Sequence, residues 1–180
     1  MIFPILPFLI DCAAAGAAGV IDVPREYYEI TWQDLLDFLG TSQAIWQKQI
    51  SVSLKSKSDC VRWVKERLTE DDYYFTKWDR VGLQTRKTWH QHATLFNKSG
   101  IPAMKILSDP KKSDGEGQVY ILYYWDRNEH CALFRKPVPG TDDQQWTQHV
   151  WNENVKSTPV CDNAFEKVEF GRYSVYKSNC

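Results

Sequence analysis

The feature that most constrains this chain is a train of short strand-like segments separated by turn clusters. The first, "AIWQKQISVSL", alternates: Trp46, Ile50, Val52 and Leu54 share one face, and Gln47, Gln49, Ser51 and Ser53 share the other. Lys48 breaks the pattern once. A period of two with one wet face predicts an antiparallel strand over a core. Seven further candidates follow: "CVRWVKERL", "DYYFTKW", "TRKTWHQHATLF", "AMKIL", "QVYILYYW", "HCALFRK" and "QQWTQHVW". Between them stand "RVGLQ", "NKSGIP", "SDPKKSDGEG", "DRNE" and "PVPGTDD", all rich in turn formers. This pattern predicts a mainly β chain closed as a barrel or packed as a sandwich.

Two helices frame the strands. In "ITWQDLLDFL", Trp32, Leu35, Leu36 and Leu39 recur at helical spacing, with Thr31 as N-cap, Asp34 three residues on and Gly40 as the stop. Near the end, Ser157 or Thr158 can cap a helix that opens on Pro159 and carries Cys161, Ala164, Phe165 and Val168 on one face. Gly171 is expected in the left-handed conformation that closes such a helix. The tail "RYSVYKSNC" is expected to run back along the strands.

The N-terminus couples an apolar run, Ile2 to Ile10, to small residues. The run is too short to span a bilayer and resembles a secretory leader with its cleavage region. We expect residues 1–19 to be that leader and 20–180 one domain. Cleavage would remove Cys12 and leave Cys60, Cys131, Cys161 and Cys180, an even set suited to an oxidising compartment. Spacing alone does not choose among their three pairings. Asn97-Lys98-Ser99 is a glycosylation sequon. The formal net charge of −1, with no basic stripe, argues against nucleic acid and anionic membranes as partners.

Chemistry is sparse. No nucleophile elbow, zincin, P-loop or dinucleotide fingerprint occurs, so no enzyme is expected. His90 and His92 lie two apart on one strand, but a zinc site needs further ligands, and no metal or cofactor is expected. The strongest signal is the aromatic excess, 8 Trp, 9 Tyr and 8 Phe. Rings fill cores, and they also line small-molecule pockets.

In order and spacing, these segments resemble the tick salivary lipocalins, the histamine-binding family. The resemblance rests on "TSQAIWQKQ" (41–49), "DCV" (59–61), "GQVYILYYWDRNEHCALF" (117–134), "HVW" (149–151), "CDNAFEKVEFGR" (161–172) and the terminal Cys180. It implies an eight-stranded antiparallel lipocalin-type barrel with a short N-terminal helix and a C-terminal helix packed outside. It also implies the pairs Cys60–Cys180 and Cys131–Cys161, and a secreted protein that sequesters a small host inflammatory mediator.

By family default that mediator is histamine or another biogenic amine. Burying a cationic amine needs carboxylates. Yet Leu122, Ala132 and His149 stand where the resemblance leads one to expect acids. An apolar, aromatic pocket with His149 and Lys48 as polar points favours an eicosanoid or fatty acid instead. The expected lining is Trp46, Ile50, Trp63, Tyr120, Leu122, Tyr124, Phe134, His149 and Trp151, with Glu66 as the acid that would rescue an amine site. The rival expectation is a filled barrel whose loops "SDPKKSDGEGQ" and "PVPGTDD" bind a host defence protein. The chain is expected to be a monomer.

Overall fold

The structure is a computed structural model, and it describes residues 29–51, 58–108, 116–138, 140–168 and 171–180. The expected leader with Cys12, Val52 and Leu54 of the first candidate strand, and residues 109–115 of one candidate contact loop lie outside these residues.

Eight antiparallel strands follow one another around a closed sheet: β1 (Ile45–Ile50), β2 (Ser58–Leu68), β3 (Asp72–Val81), β4 (Gln84–Lys98), β5 (Ile101–Leu107), β6 (Gly117–Asp126), β7 (Cys131–Pro137) and β8 (Gln144–Trp151). Pairing of β1 with both β2 and β8 closes the barrel, which removes the free edges that an open sheet would expose. A short strand, β9 (Tyr173–Ser174), adds to β1 from outside. The barrel, rather than the sandwich, is the outcome. The β3–β4 connection is a tight hairpin, and Gly82 supplies the positive φ (61°) its turn demands.

Helix α1 (Trp32–Leu39) closes one end. Its start is a complete capping box: the Thr31 hydroxyl accepts from the Asp34 N–H, and the Asp34 carboxylate accepts from the Thr31 N–H. Leu35, Phe38 and Leu39 are fully buried and join Phe134, Tyr73 and Met104 in one core cluster. Helix α2 (Pro159–Val168) packs outside, setting Cys161 and Phe165 on Leu133, Val150 and Tyr124. The Glu129 carboxylate accepts from the Val160 and Cys161 N–H groups at the start of this helix.

The bridges are Cys60–Cys180, with Cα atoms 5.4 Å apart, and Cys131–Cys161, with Cα atoms 6.3 Å apart. Between them the tail runs along β1: the Val175 N–H donates to the Lys48 carbonyl, and the Cys60 N–H donates to the Val175 carbonyl. Gly171 differs from expectation. Its φ is not positive. Glycine is required there by a close approach instead, since a Cβ would stand 2.2 Å from the Ser51 carbonyl oxygen.

Candidate ligand-binding site

Alternation along each strand decides which side chains enter the barrel, and β-bulges in β1, β2, β4 and β6 change the count. In β1 the register slips between Gln47 and Gln49, so Gln47 and Ile50 both face inward while Trp46 faces out. In β6 it slips between Leu122 and Tyr124, so Leu122 and Trp125 join the inner core and Tyr124 goes to the outer cluster under α2. In β4 it slips opposite Phe75 and Lys77, and His90 takes a φ of 52° there.

The half of the barrel nearest α1 is filled. Phe38 packs against Trp125 and Phe134, with ring centroids 5.2 and 5.6 Å away. Trp151 donates its indole N–H to the Phe38 carbonyl (3.0 Å) and stacks on His130. His149 is 1 % exposed and stacks on Trp63 at 4.3 Å, with Tyr120 and Phe134 edge-on. Neither of its ring nitrogens has a hydrogen-bond partner. Burial, reinforced by the charge of Lys136, pushes its pKa down to about 3, so it is neutral at physiological pH.

The other half is open. A cavity of about 330 Å³ lies above a floor made by Trp63, Phe75 and Tyr120. Ile50, Val61, Ile106, Leu107 and Val175 supply apolar wall, and Gln47, Gln91, Gln118 and Gln145 supply neutral polar groups. Four charged side chains also line it: Lys77 and Asp79 from β3, Arg86 from β4 and Lys136 from β7.

The charges are not balanced. Asp79 is 3 % exposed, accepts from the Ser58 hydroxyl (2.5 Å) and is paired with Arg86. Burial alone would raise its pKa, but the hydrogen bonds from Arg86 and Ser58 outweigh it and keep the group below the ordinary carboxylate range. Lys77 and Lys136 have no carboxylate within ion-pair distance among the described residues. The Lys136 ammonium sits 5.2 Å from the Tyr120 ring centroid, and burial pushes its pKa down to about 8. Among the described residues the cavity therefore sets three cationic side chains, Lys77, Arg86 and Lys136, against the single Asp79 carboxylate, whose charge acts on Lys77 as well as on Arg86.

Of the residues expected to line a pocket, Ile50, Trp63 and Tyr120 border the cavity. Leu122, Phe134, His149 and Trp151 face inward but lie in the filled half. Three are outside the wall. Trp46 donates to Asn152 (2.8 Å) and packs on Tyr176; the bulge beside it reversed its face. Tyr124 is displaced by the β6 bulge. Glu66 alternates outward from Trp63 and bonds Thr76 and His90 on the outer surface. Lys48, expected as a polar point of the pocket, instead binds Thr158 and Asp162 and ties β1 to α2. His90 and His92 do not share a site: His90 pairs with Glu66, and His92 with Asp72.

Lys77, Asp79, Arg86 and Lys136 were absent from the sequence reading. Their signal was there. Stepping by two from Phe75 reaches Lys77 and Asp79, and stepping by two from Phe134 reaches Lys136.

No protein-family model matches the sequence, and neither does any curated protein. Solved structures do match. Japanin from Rhipicephalus appendiculatus, bound to cholesterol, superposes with a TM-score of 0.56 at 11% identity, over 78% of this chain and 96% of its own. Lobster apocrustacyanin A1 gives 0.53 at 9% identity, over 90% and 91%. Both are lipocalins. This chain has the lipocalin fold. At such low identity the likeness speaks for the barrel and its two helices alone. In this lipocalin-type barrel, α1 plugs the closed end and the charged cavity occupies the open one.

Proposed function

We propose that this lipocalin-fold protein is secreted and sequesters a small amphipathic mediator bearing a carboxylate, of the fatty-acid or eicosanoid type, in the open half of its barrel. The observation that carries this reading is Lys136, an ammonium held without a counter-charge among the described residues, at the rim of an aromatic floor. A carboxylate placed beside it and Lys77 would form charge-assisted hydrogen bonds in a partly desolvated site. An alkyl chain would rest on Trp63, Phe75 and Tyr120. The cavity of about 330 Å³ is at the small end of the range of about 300–1,000 Å³ common for ligand sites. That Japanin is bound to cholesterol supports the broader idea that such a barrel accepts an apolar molecule.

Histamine or another amine, the default of the family that the sequence resembles, finds less support. The one acid that lines the cavity among the described residues, Asp79, already holds Arg86 and Ser58, and a second cation would meet Lys77 and Lys136. Secretion fits the leader-like residues 1–19 and the two disulfides. Asn97 is exposed on β4 just before its turn, as a glycosylated sequon requires. The role is binding without turnover, in the dampening of host defence.

Calorimetric titration with a long-chain fatty acid, the alcohol of the same chain and histamine tests the proposal. The acid is expected to bind at least tenfold more tightly than the alcohol. Tighter binding of histamine, or no binding of the acid below about 10 µM (about −7 kcal/mol), overturns it.

A further inference from the structure

The outer surface of β2, β3 and β4 carries a second organised set of groups, unrelated to the cavity. Arg62 lies between two indoles, its guanidinium carbon 4.9 Å from the Trp46 ring centroid and 5.1 Å from that of Trp78. Lys87 lies next in line, its ammonium 4.4 Å from Trp78 and 3.0 Å from Trp89. Farther along β2, Arg67 sits over Tyr74 at 4.3 Å. An open groove of about 580 Å³ runs across this face, and Arg62, Trp78, Lys87 and Trp89 all border it.

The acids of this face are already occupied. Glu66 bonds Thr76 and His90, Asp59 bonds Arg80, and Asp72 bonds His92. Arg62, Arg67 and Lys87 have no carboxylate partner among the described residues. They are held by ring faces instead, which orients a cation without neutralising it. Trp89 remains 58 % exposed at the end of the row. A tryptophan left in water while its neighbours organise cations is an unfilled surface.

We propose that this face binds a linear sulfated glycan. Arg62 and Lys87 flank Trp78 on neighbouring strands, about 10 Å apart, and Arg67 lies about 15 Å farther along β2. Such a strip fits a chain of repeated anions better than one small anion. Arginine's planar fork matches the oxygens of a sulfate. The exposed Trp89 offers a flat face for the C–H groups of a sugar ring. An acidic polypeptide fits less well, because β3 and β4 are each paired on both sides and β2 meets β1 at Arg62 and Trp63, so the strip around Trp78 offers no edge for main-chain hydrogen bonds.

The test is affinity for a heparin octasaccharide, measured as a function of salt on the full disulfide-bonded protein. The expected result is binding that weakens steeply with salt. In the double variant Arg62→Gln/Lys87→Gln it should be at least tenfold weaker with a shallower salt dependence, and Trp89→Ala should weaken it several-fold. Circular dichroism identifies any variant that fails to fold, and Arg67→Gln, a change at an exposed position, then serves as the second charge variant, with a severalfold loss expected. Lys136→Met should bind the octasaccharide as the wild type does, which separates this face from the cavity. Equal binding by wild type and the folded charge variants overturns the proposal. So does poly-glutamate binding as tightly as the octasaccharide with the same variant dependence.

Discussion

Replacing Lys136 by Met should make the empty protein more stable and a worse binder of acids. In the folded state burial depresses the Lys136 pKa to about 8, whereas a lysine in an unfolded chain titrates near 10.5. Below about pH 8 both states hold the proton, and the folded state carries the full cost of desolvating it. Between pH 8 and 10.5 the unfolded state binds more protons, so stability rises with pH through that window. The difference of about 2.5 units corresponds to about 3 kcal/mol at pH 7. Met has nearly the same reach and no charge to desolvate, so Lys136→Met should recover up to that amount. For a domain of this size that is a rise in melting temperature of roughly 6–12 °C.

The same substitution removes the cation a carboxylate would meet. A hydrogen bond to a charged group contributes about 1.5–3 kcal/mol, so fatty-acid affinity should fall about 10- to 150-fold. Wild-type affinity should be flat below pH 8. Above it the free protein loses the Lys136 proton, and affinity should fall by up to about tenfold per pH unit. The methyl ester of the same acid should show neither effect. Scanning calorimetry reads the first half of the prediction, and titration calorimetry from pH 6.5 to 9.5 reads the second. The double variant with Lys77→Met measures how far the other cation compensates. A Lys136→Met protein that is no more stable than wild type, or that binds the acid equally well, refutes the reasoning.

Two further predictions concern the filled half of the barrel and the bridges. His149→Phe keeps a ring against Trp63 and removes two nitrogens that have no partners, so it should stabilise by about 1–3 kcal/mol; because His149 titrates near 3 when folded and near 6.5 when unfolded, wild type should lose up to about 5 kcal/mol relative to the variant as pH falls through that window, and urea unfolding at pH 7 and pH 4 checks it. Removing the Cys131–Cys161 bridge as a double Ser variant should cost about 4 kcal/mol and removing Cys60–Cys180 about 5 kcal/mol, because the second closes the longer loop, 120 residues against 30; urea midpoints of the two variants in the order opposite to this would contradict it.

The order of strands, both helices and the capping box were legible in the sequence because each rests on local signals. Period-two alternation, turn clusters and the spacing of Thr31 and Asp34 need no tertiary information. Choosing barrel over sandwich and fixing the cysteine pairs required the resemblance, since both depend on which distant segments meet. The site was harder. A bulge inserts one residue and inverts every side chain beyond it, and nothing in "LYYW" marks where the insertion falls. Lys48 in fact announced one: the residue that broke the alternation stands at the bulge. Trp46, before the bulge, therefore faces out against expectation, while Ile50, two residues past Lys48, faces in.

The bulges also decide what kind of cavity the barrel can hold. The β6 bulge withdraws Tyr124 from the interior and admits Trp125, which packs on Phe38 and Trp151 at the plugged end. The aromatic excess is thereby spent largely on closing one half of the barrel, where His149 tolerates two unpartnered nitrogens. The open half keeps only the floor of that cluster, and its walls come from strand ends near solvent, where sequences place charged residues. An interior acid beside Lys136 would have balanced it, but its partner across β8 is Gln145, its neighbour on β6 is the Tyr120 ring, and Gln118 lines the same cavity. Neutral amides beside a buried ammonium leave its charge for a ligand to satisfy. The proposed preference for an anion therefore rests on what surrounds Lys136, and a single change there, Gln145→Glu, should lower affinity for a carboxylate and raise it for an amine.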